Sequence, residues 1–264
     1  MLNFCANLSM LFNEVKFMDK FKLASENGFK GIEYLFPYDY SKSEIKDQLN
    51  DNNLSQILFD FPAGNFAEGE RGIAIFPERK NEFREGVHKA IDYATFLNCE
   101  RLTVLVGIAD GKYTTEQYND TLIENLLYAA DQVKNTDIKI LVEALNTIDA
   151  PNYFVSSTSH CKEIIKAVNL PSVKIQYDIY HMQIMEGDII RTFENNFDKI
   201  GHIQIADNPG RYEPGTGEIN YPYIFNLLDE IGYKGWVGCE YKPSSNTLDS
   251  LGWIKEYLNN HHEE

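Results

Sequence analysis

Four polar residues each close a short apolar run: Glu143 in IKILVEAL (138–145), Asp178 in VKIQYDI (173–179), Gln204 in GHIQIA (201–206) and Glu240 in GWVGCEY (235–241). Apolar surroundings leave little water for a carboxylate, and three carboxylates brought together repel one another. A divalent cation removes both costs. Three carboxylates and one amide oxygen form a hard, all-oxygen ligand set, which suits Mg²⁺ or Mn²⁺ better than zinc with its preference for His and Cys. Any one of these acids alone could instead pair with a lysine or cap a helix. For four on consecutive runs, that explanation is the weaker one.

Other residues could complete such a site. His181 lies three residues beyond Asp178 in YDIYHMQ, where it could donate to a substrate oxygen or orient a ligand; the alternative is a loop histidine bonded to backbone. Arg211 is the strong cation of the Gly- and Pro-rich segment ADNPGRYEPGTGEINYPYIF, and a guanidinium beside a metal is suited to bidentate grip of a carboxylate. GTGE there is no phosphate loop, because no Lys-Ser/Thr follows. Arg71, in the long segment DFPAGNFAEGERGIAIFPERK, could reach a substrate or pair with Glu68 or Glu70, and residues 62–77 have the length of a lid. His202 alternates onto the same strand face as Gln204, one layer deeper. Glu33 ends the second run as a candidate structural acid, and Asn220 is a candidate helix cap. His88, His160, His261 and His262 are expected to be solvated.

What must position these residues is a repeating pattern of strand and helix. Eight short runs rich in Val, Ile, Leu, Phe and Tyr recur: 2–8, 31–36, 56–61, 101–106, 138–145, 173–179, 201–206 and 235–241. Between them apolar residues recur at three-to-four spacing, as in Phe83, Val87, Ile91 and Ala94, in Tyr118, Leu122, Leu126, Ala129 and Val133, and in Ile224, Leu227, Leu228 and Ile231. Gly28 and Gly232 sit where helices should end in the left-handed conformation. Continuous apolar strands alternating with helices indicate a parallel sheet buried on both faces. No G-x-G-x-x-G follows the first strand, and eight units favour closure over an open doubly wound sheet. The expectation is an α/β protein, a TIM (β/α)₈ barrel forming a single domain over residues 1–264. In such a barrel the ends of the strands are where ligands gather.

Composition narrows the partners. Forty acidic residues against 24 Lys and Arg leave a net charge of -16 over 264 residues, a field that repels nucleic-acid phosphates yet tolerates a small anion beside a cation and an arginine. The N-terminus lacks a basic segment before its apolar residues, and no run is long enough to span a membrane. Cys5, Cys99, Cys161 and Cys239 form no C-x-x-C pair, so reduced thiols and a cytoplasmic setting are expected, with Cys5 and Cys239 ordinary strand residues.

The segments FCANLSMLF, PAGNFAEGERGIA, LVEALN, YDIYHMQ, HIQIADNPGR-x-EPGTGEINY and GWVGCEYKP resemble the hydroxypyruvate isomerase family, a branch of the xylose-isomerase-like barrels. They run from the first strand to the last, and the long QIADNPGR-x-EPGTGEINY stretch is the specific one. The resemblance implies a divalent metal, Mg²⁺ or Mn²⁺, on Glu143, Asp178, Gln204 and Glu240, with His181 and Arg211 contacting substrate. Many members have a histidine where this chain has Gln204, which shifts the set toward oxygen-loving ions. The implied reaction interconverts hydroxypyruvate and tartronate semialdehyde through an enediolate, a small anionic keto or hydroxy acid being the substrate. Glu143 and Glu240 are the pair expected to relay the proton, although metal charge would depress their basicity. A four-carbon 2-oxo-tetronate isomerase and a ketose 3-epimerase would use the same site. An abasic-site endonuclease would want several zinc ions, many histidines and a basic surface, and a non-catalytic sugar-binding barrel would need no turnover. Barrels of this kind are often homo-oligomers.

Overall fold

Each of the eight apolar runs becomes a strand, generally shorter than the run itself. They are β1 (Asn3–Asn7), β2 (Gly31–Glu33), β3 (Ser55–Asp60), β4 (Arg101–Val104), β5 (Lys139–Glu143), β6 (Val173–Asp178), β7 (Ile200–Ile205) and β8 (Trp236–Cys239). In this computed structural model, which describes residues 2–259, the strands follow one another in order around a closed barrel. The expected (β/α)₈ architecture is therefore the one observed. His261 and His262 lie outside the described residues.

The chain divides into two compact units, residues 1–57 with 202–264 and residues 58–201. In the first, β1 pairs in parallel with β2 and β8, and β8 with β7. Cys5 stands opposite Gly31 on one side and Gly238 on the other, and Gln204 also stands opposite Gly238. In the second unit β4 pairs with β3 and β5, and β5 with β6, again all parallel. Strand β5, KILVE, is buried at every residue after Lys139, which is the signature of a strand covered on both faces.

Helices start and stop where side chains can satisfy their free backbone groups. Ser41 and Glu44 form a capping box on the helix Lys42–Asp51, and Thr114 and Gln117 form another on Thr115–Gln132. Gly28 and Gly232 take positive φ, 93° and 75°, as expected after helix ends. The helix Thr115–Gln132 and its C-cap bury the whole expected stripe from Tyr118 to Val133. The helix Lys80–Leu97 instead buries Ala90 and leaves Ile91 half-buried, and Tyr221–Glu230 buries Phe225 while Leu227 is half-buried. Both shifts have one cause: a stripe drawn at three-to-four spacing fixes a face only to within about one residue.

No described helix is long and apolar enough to cross a membrane. The segment 62–77 is tied down rather than loose. Gly72 donates to the Ala63 carbonyl and Ile75 to that of Val106. A side chain at Gly72 would collide with the Leu105 backbone oxygen, at 1.8 Å from its Cβ.

Candidate active site

In the second unit the polar cluster grows from the ends of β5 and β6. Glu143 and Asp178 are their last residues, both buried. Asp178 also begins the helix Ile179–Met185, its Oδ1 accepting from the backbone N–H of Tyr180 at 2.8 Å and His181 at 3.4 Å. His181 is thus on a helix, not in a loop, and it is buried. Its Nε2 lies 3.5 Å from Asp178 Oδ2. Glu143, Asp178 and His181 each offer a ligand atom within 4.8 Å of the others.

The far side of His181 is fixed by Asn146. Its backbone N–H and its Nδ2 both reach His181 Nδ1, at 3.1 and 2.7 Å. Asn146 Oδ1 accepts from the N–H groups of Ile148 and Asp149, so the amide cannot be turned round. Two donors aimed at Nδ1 make that nitrogen the acceptor and leave the proton on Nε2. Asp149 in turn accepts from Asn146 Nδ2 and from the Tyr180 hydroxyl. Nearby, burial above all, and then the charge of Glu143, push the Tyr153 hydroxyl and the Cys161 thiol well above their ordinary pKa values.

In the first unit a second cluster forms around Glu240, which lies one residue past β8, and Gln204 in β7. Arg211 Nη2 donates to Glu240 Oε2 at 2.6 Å, and Asn7 Nδ2 donates to Oε1 at 3.2 Å. Arg211 holds a left-handed backbone, φ 60°, which costs a non-glycine residue about 1–2 kcal/mol. Its loop is organised by Asp207, fully buried, which accepts from the N–H groups of Asn208, Gly215, Gly217 and Ile219. Gln204 Nε2 donates to Glu33 Oε1 at 2.8 Å, so oxygen is the other end of its amide.

Glu33 is more than a rim acid. It is fully buried and also receives Asn7, Cys5 and His202. Burial pushes its carboxyl up, but the charge of His202 and the hydrogen bonds from His202, Gln204 and Asn7 outweigh that and hold it below the usual carboxylate range. His202 is buried beside Gln204, as expected. Cys5 lies buried in β1, a strand residue as expected, and its thiol also donates to Glu33 at 3.3 Å.

The remaining expected residues fall elsewhere. Arg71 is held to its own loop, Nη1 donating to the carbonyls of Phe66 and Glu70 and the guanidinium lying 4.1 Å from the centre of the Phe66 ring. Neither expected partner carboxylate is the one it bonds; Glu70 pairs with Arg79. Asn220 caps its helix through the N–H of Tyr223. His88 is exposed and bonds Tyr128, but His160 is half-buried, bonded to Asn119 and packed on Phe154, so it is not a solvated histidine. None of the four cysteines is in a disulfide, and all four are buried.

Asn7, Asn146 and Asp207 escaped sequence reasoning. Asn7 closes the first apolar run as Glu143 closes the fifth, so the same strand-end rule applied to β1 would have found it. Asn146 and Asp207 act by hydrogen bonds to sequence-distant or loop groups, for which no spacing rule exists.

The model of the xylose isomerase-like TIM barrel family matches residues 21–257. A hydroxypyruvate isomerase of Escherichia coli K12 is 49% identical over 97% of this chain and 100% of its own length. A 2-oxo-tetronate isomerase of Cupriavidus necator is 41% identical over 98% of this chain and 99% of its own. Among solved structures, an AP endonuclease, family 2, from Brucella melitensis superposes with a TM-score of 0.95 at 46% identity, covering 97% of this chain and 99% of that one.

Proposed function

Since the chain belongs to the xylose isomerase-like TIM barrels and is an isomerase of the hydroxypyruvate isomerase family, we propose that it interconverts hydroxypyruvate and tartronate semialdehyde with a divalent metal. The observation that carries this reading is the pairing of half-buried Arg211 with buried Glu240, which sets a carboxylate-gripping cation directly on one of the two acids assigned to proton transfer.

The donor chemistry fits a hard cation. Glu143, Asp178, Gln204 and Glu240 would hold it, each buried and each within one residue of the C-terminal end of its strand. His181, within 4.8 Å of Glu143 and Asp178, adds a nitrogen to the sequence-derived oxygen set, as ligand or as donor to substrate. Bound Mg²⁺ or Mn²⁺ supplies Lewis-acid stabilisation of negative charge on adjacent substrate oxygens.

The protein's own groups do the rest. Arg211 has five N–H donors and can grip the substrate carboxylate while still bonding Glu240. One acid of the pair Glu143 and Glu240 removes the proton from the hydroxymethyl carbon; as the enediolate collapses a proton returns to the former carbonyl carbon and the hydroxyl proton passes to the former carbonyl oxygen, so that carbonyl and hydroxyl exchange places. His181, protonated on Nε2, donates to the oxygen that gains negative charge. Arg71 would contact substrate only by exchanging the bonds that tie it to its own loop.

A four-carbon 2-oxo-tetronate is the second reading, favoured by the Cupriavidus relative; a ketose 3-epimerase follows. The abasic endonuclease reading has the name of the Brucella structure behind it, but the net charge of -16 and clusters with one histidine apiece argue against it. The reading also takes the enzyme to be cytoplasmic, and sedimentation velocity checks for a homo-oligomer.

The test is exchange of substrate carbon-bound hydrogen with ²H₂O, followed by NMR with Mg²⁺ or Mn²⁺, on hydroxypyruvate and on a 2-oxo-tetronate. Metal-dependent exchange on hydroxypyruvate, lost in Glu240→Gln, is expected. Faster turnover of the four-carbon acid would move the assignment to the second reading. Metal-supported stability without exchange on either would leave a sugar-acid-binding barrel, and cleavage of abasic DNA would overturn the isomerase.

A further inference from the structure

Cys5, Glu33 and His202 offer sulfur, oxygen and nitrogen within 4.8 Å of one another, entirely buried. That resembles a cation site, but the hydrogen bonds say otherwise. Glu33 Oε1 accepts from Asn7 Nδ2 at 3.0 Å and Gln204 Nε2 at 2.8 Å, while Oε2 accepts from Cys5 Sγ at 3.3 Å and His202 Nε2 at 2.7 Å. Four donors fill the roughly four lone-pair positions of a carboxylate. The cluster is a saturated anion.

A carboxylate only accepts, so every neighbour must turn a donor toward it. This matters for the two amides, whose ends are alike in shape and opposite in polarity. Asn7 obeys: with Nδ2 turned to Glu33 and Glu240, its Oδ1 accepts from the Ser9 N–H at 3.0 Å. Gln204 obeys in the same way, and the rule leaves its carbonyl oxygen as the end not facing Glu33. The backbone is built around this carboxylate. A Cβ placed on Gly238, the residue paired with both Cys5 and Gln204, would lie 2.4 to 2.6 Å from the Glu33 carboxylate atoms. Glycine in a strand interior weakens the strand, and here the close approach of a buried anion explains it.

We propose that Glu33 is a positioning residue that fixes the polarity of the Gln204 and Asn7 amides, presenting the Gln204 oxygen to the metal and an N–H of Asn7 to Glu240. The inference rests on the reading that Gln204 and Glu240 are ligands. Glu33 stands to Gln204 as an outer carboxylate stands to a metal-bound histidine, where loss of the outer group typically weakens metal binding about 10- to 100-fold.

The experiment measures Mn²⁺ dissociation constants by EPR, without substrate, for the wild type, Glu33→Gln and the double variant Glu33→Gln/Gln204→Glu. Glutamine at 33 presents a donor as well as an acceptor and no longer dictates which end of Gln204 faces it. Binding is expected to weaken at least 10-fold. A carboxylate at 204 has oxygen at both ends and needs no orienting partner, so the double variant is expected to regain at least 10-fold over Glu33→Gln. A merely structural Glu33 would lower the melting temperature of both variants and give no recovery. Unchanged Mn²⁺ affinity in Glu33→Gln, or a double variant binding no better, overturns the inference. Should Glu33→Gln fail to fold, a folded, Mn²⁺-binding double variant supports the proposal, and an unfolded one overturns it. A wild type that does not bind Mn²⁺ would instead sink the metal-site reading itself.

Discussion

Arg211 reaches Glu240 from a left-handed backbone, and the two are joined by a hydrogen bond of 2.6 Å between largely buried groups. A side chain held this way is over-determined by its surroundings, and strain of that kind gathers at functional sites. Arg211→Lys keeps the charge and the backbone but loses the planar fork that can serve Glu240 and a substrate carboxylate together. Its kcat/KM is expected to fall about 10²- to 10³-fold, with a thermal midpoint within a few degrees of the wild type. Steady-state kinetics with calorimetry on the same sample checks it; parallel loss of stability and activity would make Arg211 a scaffold residue instead.

His181 receives both donors of Asn146 on Nδ1, so its neutral ring should exist as the Nε2–H tautomer. Long-range ¹H–¹⁵N correlation spectra at neutral pH, recorded without metal, are expected to show that pattern. Asn146→Ala removes the side-chain donor and leaves the backbone one, so a measurable share of the other tautomer should appear. An Nδ1–H ring in the wild type would contradict the hydrogen-bond assignment.

The barrel could be read from the sequence because its strands are continuous apolar runs and its helices carry a clear stripe, and both patterns are local. The buried placement of Glu143, Asp178, Gln204 and Glu240 near strand ends was legible for the same reason, as polar residues ending apolar runs. What could not be read was direction. Nothing local tells that the Gln204 amide turns its nitrogen to Glu33, or that Asn146 reaches 35 residues forward to His181. The burial of His160 was equally hidden, because it depends on Asn119 and Phe154 meeting it in space. Arg71 shows the opposite error: a charge in a long loop suggests reach, yet the loop's own carbonyls and Phe66 hold it.

Asp110 provides a pH signature away from the site. Hydrogen bonds from the Lys112 ammonium, the Tyr118 hydroxyl and the Lys112 backbone hold its carboxyl at about 2, against an ordinary 3.8. The folded value is the lower one, so ionised Asp110 favours the fold above the ordinary value, and that contribution disappears as pH falls through about 2. Carboxyl ¹³C titration by NMR should give a midpoint well below 3.8 in the wild type and a higher one in Tyr118→Phe. A wild-type midpoint at the ordinary value would refute the three-donor geometry.

Asp207 tests whether the Arg211 loop is pre-formed. Its two oxygens gather four backbone N–H groups, from Asn208, Gly215, Gly217 and Ile219, at 2.8 to 3.1 Å. Gly217 closes the arrangement, since a Cβ there would lie 2.2 Å from the Asn208 carbonyl oxygen. Asp207→Asn turns one acceptor into a donor facing N–H groups with no water to relieve them, which costs about 1–3 kcal/mol for each group left unsatisfied. The thermal midpoint should drop by several degrees. Because Asp207 also donates its own N–H to the Tyr212 carbonyl, the distortion should reach Arg211. Limited proteolysis is expected to cut the variant within residues 208–220 while sparing the wild type. An equally resistant loop in Asp207→Asn would mean that the barrel alone, and not this carboxylate, holds Arg211 in place.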